Sequence, residues 1–299
     1  MAFSRRTFLQ SGAGLTAGLA GATSALEAQD GGRPGNMPPG APQASLGQSD
    51  APTPASQIQV PSMKFGGVEI SRMVLGVNPF YGFAHYNNNF GTIMKEWYTP
   101  DKVCEVMHQA NRFGINALNY VHLGRAPQDW ARFVAEGGRM HLIIQVTAGV
   151  DAEALVKSLK PLAMQRQGEV VTHIPEVIAQ VEEEGWDVDF YSGCVYNRRR
   201  TADEWKKVLN GEMLEMPNDI YLKSDPPRMY KVMRQTSKPC FAFKILAAGR
   251  IADRGIEQSF RTAFESIKPI DGIYVGMFPR VKDEVRENAE IVHRILTRS

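Results

Sequence analysis

The stretch from Thr99 to His122 decides the fold class. It opens Thr99-Pro100-Asp101, carries Val103, Val106, Met107, Ala110 and Phe113, breaks at Gly114, and resumes as Ile115-Asn116-Ala117-Leu118-Asn119-Tyr120-Val121-His122. Thr99 has the side chain of a helix N-cap, and Pro100 suits the first helical position, where an N–H would lack a partner anyway. The apolar residues recur at helical spacing and give one apolar face, while Gly114 supplies the C-terminal stop. The run that follows is short and mainly apolar, the pattern of a strand buried on both faces. Helix then buried strand is one period of a parallel α/β fold.

The alternation extends in both directions. Upstream, Met63–Ile70 reads as a hairpin turned at Gly66-Gly67, and Arg72–Val77 as an apolar strand ending at Asn78-Pro79. Downstream, His141–Thr147, Glu169–His173, Val188–Ser192, Cys240–Leu246 and Gly272–Gly276 are strand-like. Helical patterns separate them at Pro127–Glu136, Ala152–Leu162, Ile174–Val181, Arg228–Gln235, Glu257–Ile267 and Lys282–Leu296. This specifies a parallel sheet covered by helices. No Gly-rich dinucleotide fingerprint follows the first strand, so a (β/α)8 TIM barrel with an N-terminal β-hairpin is expected over a doubly wound sheet. Seven βα units are countable, and an eighth would have to fit within Leu162–Gly168. The barrel is therefore expected to be one unit short or irregular there.

Composition removes several function classes. With 43% hydrophobic and 22% charged residues, the chain is globular rather than disordered. A formal charge of +2 gives no footprint for nucleic acid. Cys104, Cys194 and Cys240 are too few and too scattered for a disulfide scaffold, and no CxxC pair suggests structural zinc.

The N-terminus, Ser4-Arg5-Arg6-Thr7-Phe8-Leu9, followed by a mild Gly/Ala-rich apolar stretch, resembles a twin-arginine signal, expected over residues 1–28. The stretch is too short and Gly-rich for a stable membrane span. An exported protein, periplasmic or extracellular, handed folded to the twin-arginine machinery, is the expectation. Residues Gly31 to Pro54 hold 5 Gly and 6 Pro, so 29–57 is expected to be a flexible linker and 58–299 the folded domain.

In a barrel, function gathers at the carboxyl ends of the strands. Asn78, Asn119, His122, Thr147, His173, Asp189 and Lys244 stand there in this reading. His173 precedes Pro175 at a helix start, a positive local field that favours neutral imidazole, suited to accepting a proton or ligating a metal. A helix-capping role explains it equally well. Asp189, within Val188-Asp189-Phe190-Tyr191, would need pairing or coordination if buried, so it could bind a divalent metal with His173, act as a base, or form an ion pair with Lys244. Lys244, among Phe243 and Ile245, could serve as a base, an oxyanion or phosphate clamp, or a structural ion pair. Catalytic work is assigned to His173, Asp189 and Lys244. His85 lies in a loop with Asn87-Asn88-Asn89, Tyr81, Phe83, Tyr86 and Phe90, a mixture suited to a sugar ring or to a packed lid. Asn78, His85, Asn119 and His122 are the expected substrate contacts. Arg198-Arg199-Arg200 is either a solvated turn or a contact for an anionic substrate.

The region 63–299 resembles the aldo/keto reductase superfamily. Met63–Arg72 is similar to its N-terminal hairpin, Gly114–Asn119 to its second strand, Ile245–Gly249 to a loop near the cofactor pyrophosphate, and Gly276–Asn288 to its last strand and helix, where nucleotide phosphate is held. The resemblance implies NADP contacts at Gly249 and Gly276. The reductase catalytic set does not carry over: Asn119 stands where an aspartate is expected, Gly124 where the tyrosine is expected, and His141–Thr147 contains no lysine. Closer is a bacterial branch with Gly76-Val77-Asn78-Pro79-Phe80, His173-Ile174-Pro175-Glu176-Val177-Ile178 and Asp187-Val188-Asp189-Phe190-Tyr191. The leading expectation is an enzyme acting on a carbohydrate-like or polyhydroxylated small molecule by acid/base, metal-assisted isomerisation or elimination. The alternatives are an NADP-dependent reductase with a reorganised site and a noncatalytic sugar-binding barrel.

Overall fold

The computed structural model describes residues 53–145, 169–212, 220–251 and 255–297. The expected signal at 1–28, most of the expected linker, Thr147 and the expected helix Ala152–Leu162 lie outside the described residues. The linker gives way to structure before residue 58. Ala55–Gln57 is a short 3-10 turn, and Thr53 N donates to Glu290 at 2.8 Å.

A hairpin of β1 (Ser62–Phe65) and β2 (Val68–Ser71) turns at Gly66, whose φ of +57° is the left-handed conformation that such a tight turn demands. Seven further strands form one parallel sheet: β3 (Met73–Gly76), β4 (Ala117–Val121), β5 (His141–Gln145), β6 (Glu169–Thr172), β7 (Phe190–Cys194), β8 (Cys240–Phe243) and β9 (Gly272–Gly276). Their spatial order is β5-β4-β3-β9-β8-β7-β6. The first and last strands of the alternation are thus neighbours at the centre, and the sheet curls into a half-barrel. The expected closed eight-stranded barrel is corrected: among the described residues, β5 and β6 are two edges that do not pair. Among the described residues the main sheet holds seven strands, the number countable in the sequence.

The helices of the described residues are α1 (Asn88–Trp97), α2 (Pro100–Arg112), α3 (Ala126–Ala135), α4 (Pro175–Glu183), α5 (Ala202–Val208), α6 (Asp225–Gln235), α7 (Ile256–Ser266) and α8 (Glu284–Thr297). Thr99 caps α2 by accepting from Lys102 N. The outer face of the sheet, with Leu75, Leu118, Tyr191, Ala242 and Val275, packs under helix residues such as Met107, Phe133, Met229, Phe260 and Val292. The inner face is a second cluster: Val74, Ala117, Ile143, Phe190, Phe241 and Tyr274 close over Met63, Phe65 and Ile70 of the hairpin. The hairpin thus fills the amino end of the curl. Side chains alternate along a strand, so residues two further on face the same hollow nearer its carboxyl end. Those positions are Gly76, Asn119, Gln145 and Phe243.

Candidate functional site: a cationic cavity at the carboxyl ends of the strands

Where the apolar filling stops, a cavity of about 1050 Å³ opens. Gly76, Asn119, Gln145, Val171, Phe243 and Gly276 line its strand side, and the loops after β3, β6, β7, β8 and β9 supply the rest. Gly76 and Gly276 are cross-strand partners. A Cβ on Gly76 would sit 3.0 Å from Gly276 N, and one on Gly276 would sit 2.8 Å from Pro79 Cδ. The glycine pair lets the helical turn Asn78–Tyr81 cross directly over the strand ends.

Most of the expected site residues converge here. Asn78, His85, Asn119, His173, Lys244, Gly249 and Gly276 all line the cavity. Asn119 is only 9% exposed, and its Nδ2 has no hydrogen-bond partner, so a buried donor faces the space with its bonding capacity unmet. His173 packs edge-on against Phe243, with ring centroids 5.5 Å apart. Lys244 holds a φ of +63° at the end of β8, a left-handed conformation uncommon outside glycine.

Two expected residues do not join them. Asp189 is solvent-exposed and precedes β7 at the strand's amino end, whereas His173 follows the carboxyl end of β6. The strand begins two residues later than the apolar pattern suggested, at Phe190, which pairs with Glu169. The expected His173–Asp189 metal pair is therefore not formed, and among the described residues no group of three His, Cys, Asp or Glu could hold a metal. Lys244 follows the carboxyl end of β8, the end of the sheet opposite to Asp189. His122 is exposed outside the cavity, with Nδ1 3.1 Å from Tyr120 Oη.

The cavity is electrostatically one-sided. Burial pushes the Lys244 amine down to about 8, helped by Arg198 and Arg250 and opposed by Cys194. Burial lowers His173 to about 3, with Lys244, Arg198 and Arg199 adding to the shift. His85 falls to about 3 for the same first reason, with Lys244, Arg198, His173 and Arg250 adding. Both imidazoles are neutral at physiological pH, the state expected for His173, but the cause is burial amid cations rather than the start of α4 alone.

The arginine run divides its labour, a split that neither sequence reading anticipated. Arg200 is 5% exposed and ion-paired with Asp225, itself 2% exposed. Asp225 also accepts from Asn197 N at 3.2 Å. This buried pair anchors the loop from which Arg198 and Arg199 enter the cavity lining. Arg250, unnoticed in the sequence although it adjoins Gly249, lines it as well. Its guanidinium lies 4.3 Å from the Tyr221 ring centroid and 5.5 Å from that of Tyr86. It donates to the carbonyls of His85 at 3.0 Å and Ala247 at 3.3 Å. Tyr274 was also missed: Ser192 donates to Glu169 and lies 3.0 Å from Tyr274 Oη, so the tyrosine donates to the serine. Burial pushes the Glu169 carboxyl up to about 7, against the Ser192 hydrogen bond.

The aromatic loop after β3 forms one wall. Phe83, Tyr86 and Phe90 are 45%, 54% and 36% exposed, yet all three line the cavity. Asn87 caps α1 by accepting from Phe90 N at 2.7 Å, a helix that the sequence reading left as loop.

No protein-family model and no curated protein matches the sequence. Among solved structures, one described as "Crystal structure of Gox0644 at apoform" is similar over 79% of this chain and 93% of that chain, at 11% identity and a TM-score of 0.37. A likeness this weak supports neither fold nor function. The expected membership of the aldo/keto reductase superfamily is accordingly corrected, since no family model matches and the described sheet is an open half-barrel. The NADP contacts assigned to Gly249 and Gly276 rested on that resemblance and fall with it. The space beside Gly276 is taken by Pro79, which a Cβ there would meet at 2.8 Å.

Proposed function

We propose that the protein is an enzyme that moves protons on a polyhydroxylated small molecule, in an isomerisation or elimination. The observation that carries this reading is that Lys244, His85 and His173, remote in sequence, line one cavity. A lysine with its pKa lowered to about 8 is mostly protonated at neutral pH, yet sits close enough to neutrality to give up its proton. It would donate to, or stabilise, an oxygen on which charge develops. Neutral His173 and His85 would accept hydrogen bonds from substrate hydroxyls or take the proton released from carbon. The aromatic wall offers faces for a sugar ring, and Asn119 Nδ2 a donor for one of its oxygens. The scheme assigns the proton transfers to side chains, since His173 and Asp189 stand at opposite ends of their strands. The Arg5-Arg6 motif supports an exported protein working outside the cytoplasm.

Proton NMR in deuterium oxide tests the reaction class. Incubation with a panel of aldoses, ketoses, sugar acids and polyols should exchange one carbon-bound proton of the true substrate, and Lys244→Met should abolish the exchange. Binding without exchange of any carbon-bound proton would remove the enzymatic reading and leave a sugar-binding protein.

A further inference from the structure

The ligand's charge can be argued further, on the premise of the acid–base reading above. Lys244, Arg199 and Arg250 lie along the loops after β7 and β8, and among the described lining residues of those loops none is Asp or Glu. Arg250 meets carbonyl oxygens and aromatic rings, all neutral. The stretch after β9 differs: Lys282 pairs with Glu287 at 2.7 Å and stands near Glu284, whose carboxylate accepts from Phe278 N. Among the described residues, positive charge is thus balanced after β9 and accumulated after β7 and β8. A half-buried cluster of like charges costs free energy unless a counter-charge arrives. Asn119, on β4, lines the same cavity nine-tenths buried with an unmet amide donor. We infer that the occupant is a small anionic polyol, a sugar phosphate or a sugar acid, whose oxyanion sits against Lys244 and Arg250 while one of its neutral oxygens accepts from Asn119 Nδ2.

Such a ligand would also change the protonation of the site. The groups facing Lys244 are Cys194 from the end of β7, Arg198 and Arg250 from the two loops, and His85 and His173 across the cavity. An anion placed among them favours the charged forms of Lys244 and both histidines, so binding takes up protons and makes the imidazoles better bases at the moment the substrate is present.

The test is calorimetric titration of the mature protein at neutral pH with glucose 6-phosphate, gluconate and glucose, each in two buffers of different ionisation enthalpy. At least one anion should bind about tenfold or more tightly than glucose, with net proton uptake, and the preference should shrink above pH 8 as Lys244 loses its proton. The double variant Lys244→Met/Arg250→Gln should lose the preference, and Lys244→Arg should keep it. A stronger response to gluconate points to a carboxylate, and a stronger response to glucose 6-phosphate to a phosphate. Equal affinity for glucose and both anions overturns the inference, as does a preference that survives in the double variant, or silence from both anions at millimolar concentration. Deuterium exchange into glucose without anion preference would overturn this inference and leave the acid–base reading standing. Tight anion binding without exchange of any carbon-bound proton would do the reverse.

Discussion

The two ends of one hollow are built from the same strands and have opposite characters. At the amino end, Val74, Ala117, Ile143 and Phe241 close over Met63, Phe65 and Ile70 in a buried apolar cluster. Two residues further along the same strands come Gly76, Asn119, Gln145 and Phe243, and above them lysine, histidine and arginine side chains crowd a cavity. The period of the strand puts both sets on one face, so the difference is purely of residue type. The lower half gives the sheet its rigidity. The upper half holds buried and half-buried charges, which cost stability there.

The largest expected effect comes from the lower half. Phe241 is fully buried and stacks on Tyr274 with centroids 4.9 Å apart, with Phe65 at 5.3 Å and Phe190 at 5.9 Å. Phe241→Ala should cost about 3–5 kcal/mol in urea denaturation; a loss under about 1 kcal/mol would mean that the floor is not a packed core. Next comes the anchor of the arginine loop. Asp225→Asn leaves the buried Arg200 charge without its counter-ion and should cost about 3 kcal/mol. Tryptic cleavage near Arg198 should accelerate in that variant, and unchanged cleavage would separate the ion pair from the loop's order.

A third substitution should work in the opposite direction. Folding lowers the Lys244 pKa from 10.5 to about 8. The unfolded chain therefore holds this proton more tightly, and the wild-type residue destabilises the fold below pH 8. Lys244→Met should stabilise the protein near neutral pH by up to about 3 kcal/mol, and the gain should fade as pH rises from 8 toward 10.5. A variant less stable than wild type at pH 7 would show that Lys244 serves packing rather than function. The smallest effect is at the boundary between the halves: Gly276→Ala drives a methyl group into Pro79 and should cost about 1–2 kcal/mol. In that variant the Asn78–Tyr81 turn should shift, and ligand affinity should fall more than stability does. If stability falls and affinity does not, the turn has no part in the cavity.

The sequence alone determined the order of the strands and most of the helices between them, though not the helices Asn88–Trp97 and Ala202–Val208. Helical and two-residue periodicities, the Thr99-Pro100 start and the Gly66-Gly67 turn are local signals, and they placed β3 to β9 within a few residues of their observed spans. It also nominated His173, Lys244, His85 and Asn119, because carboxyl ends of parallel strands can be marked without knowing how the sheet curls. Tertiary structure decided the rest. Asp189 left the site because pairing with β6, not hydropathy, fixed where β7 begins. Arg200 was separated from Arg198 and Arg199 by a buried partner 25 residues away, and Arg250 came to the cavity through two tyrosines and a carbonyl distant in sequence. Local spacing reports which residues share an element's face; it carries no record of which distant charge lies opposite, and charges opposite one another are what set the protonation of this cavity.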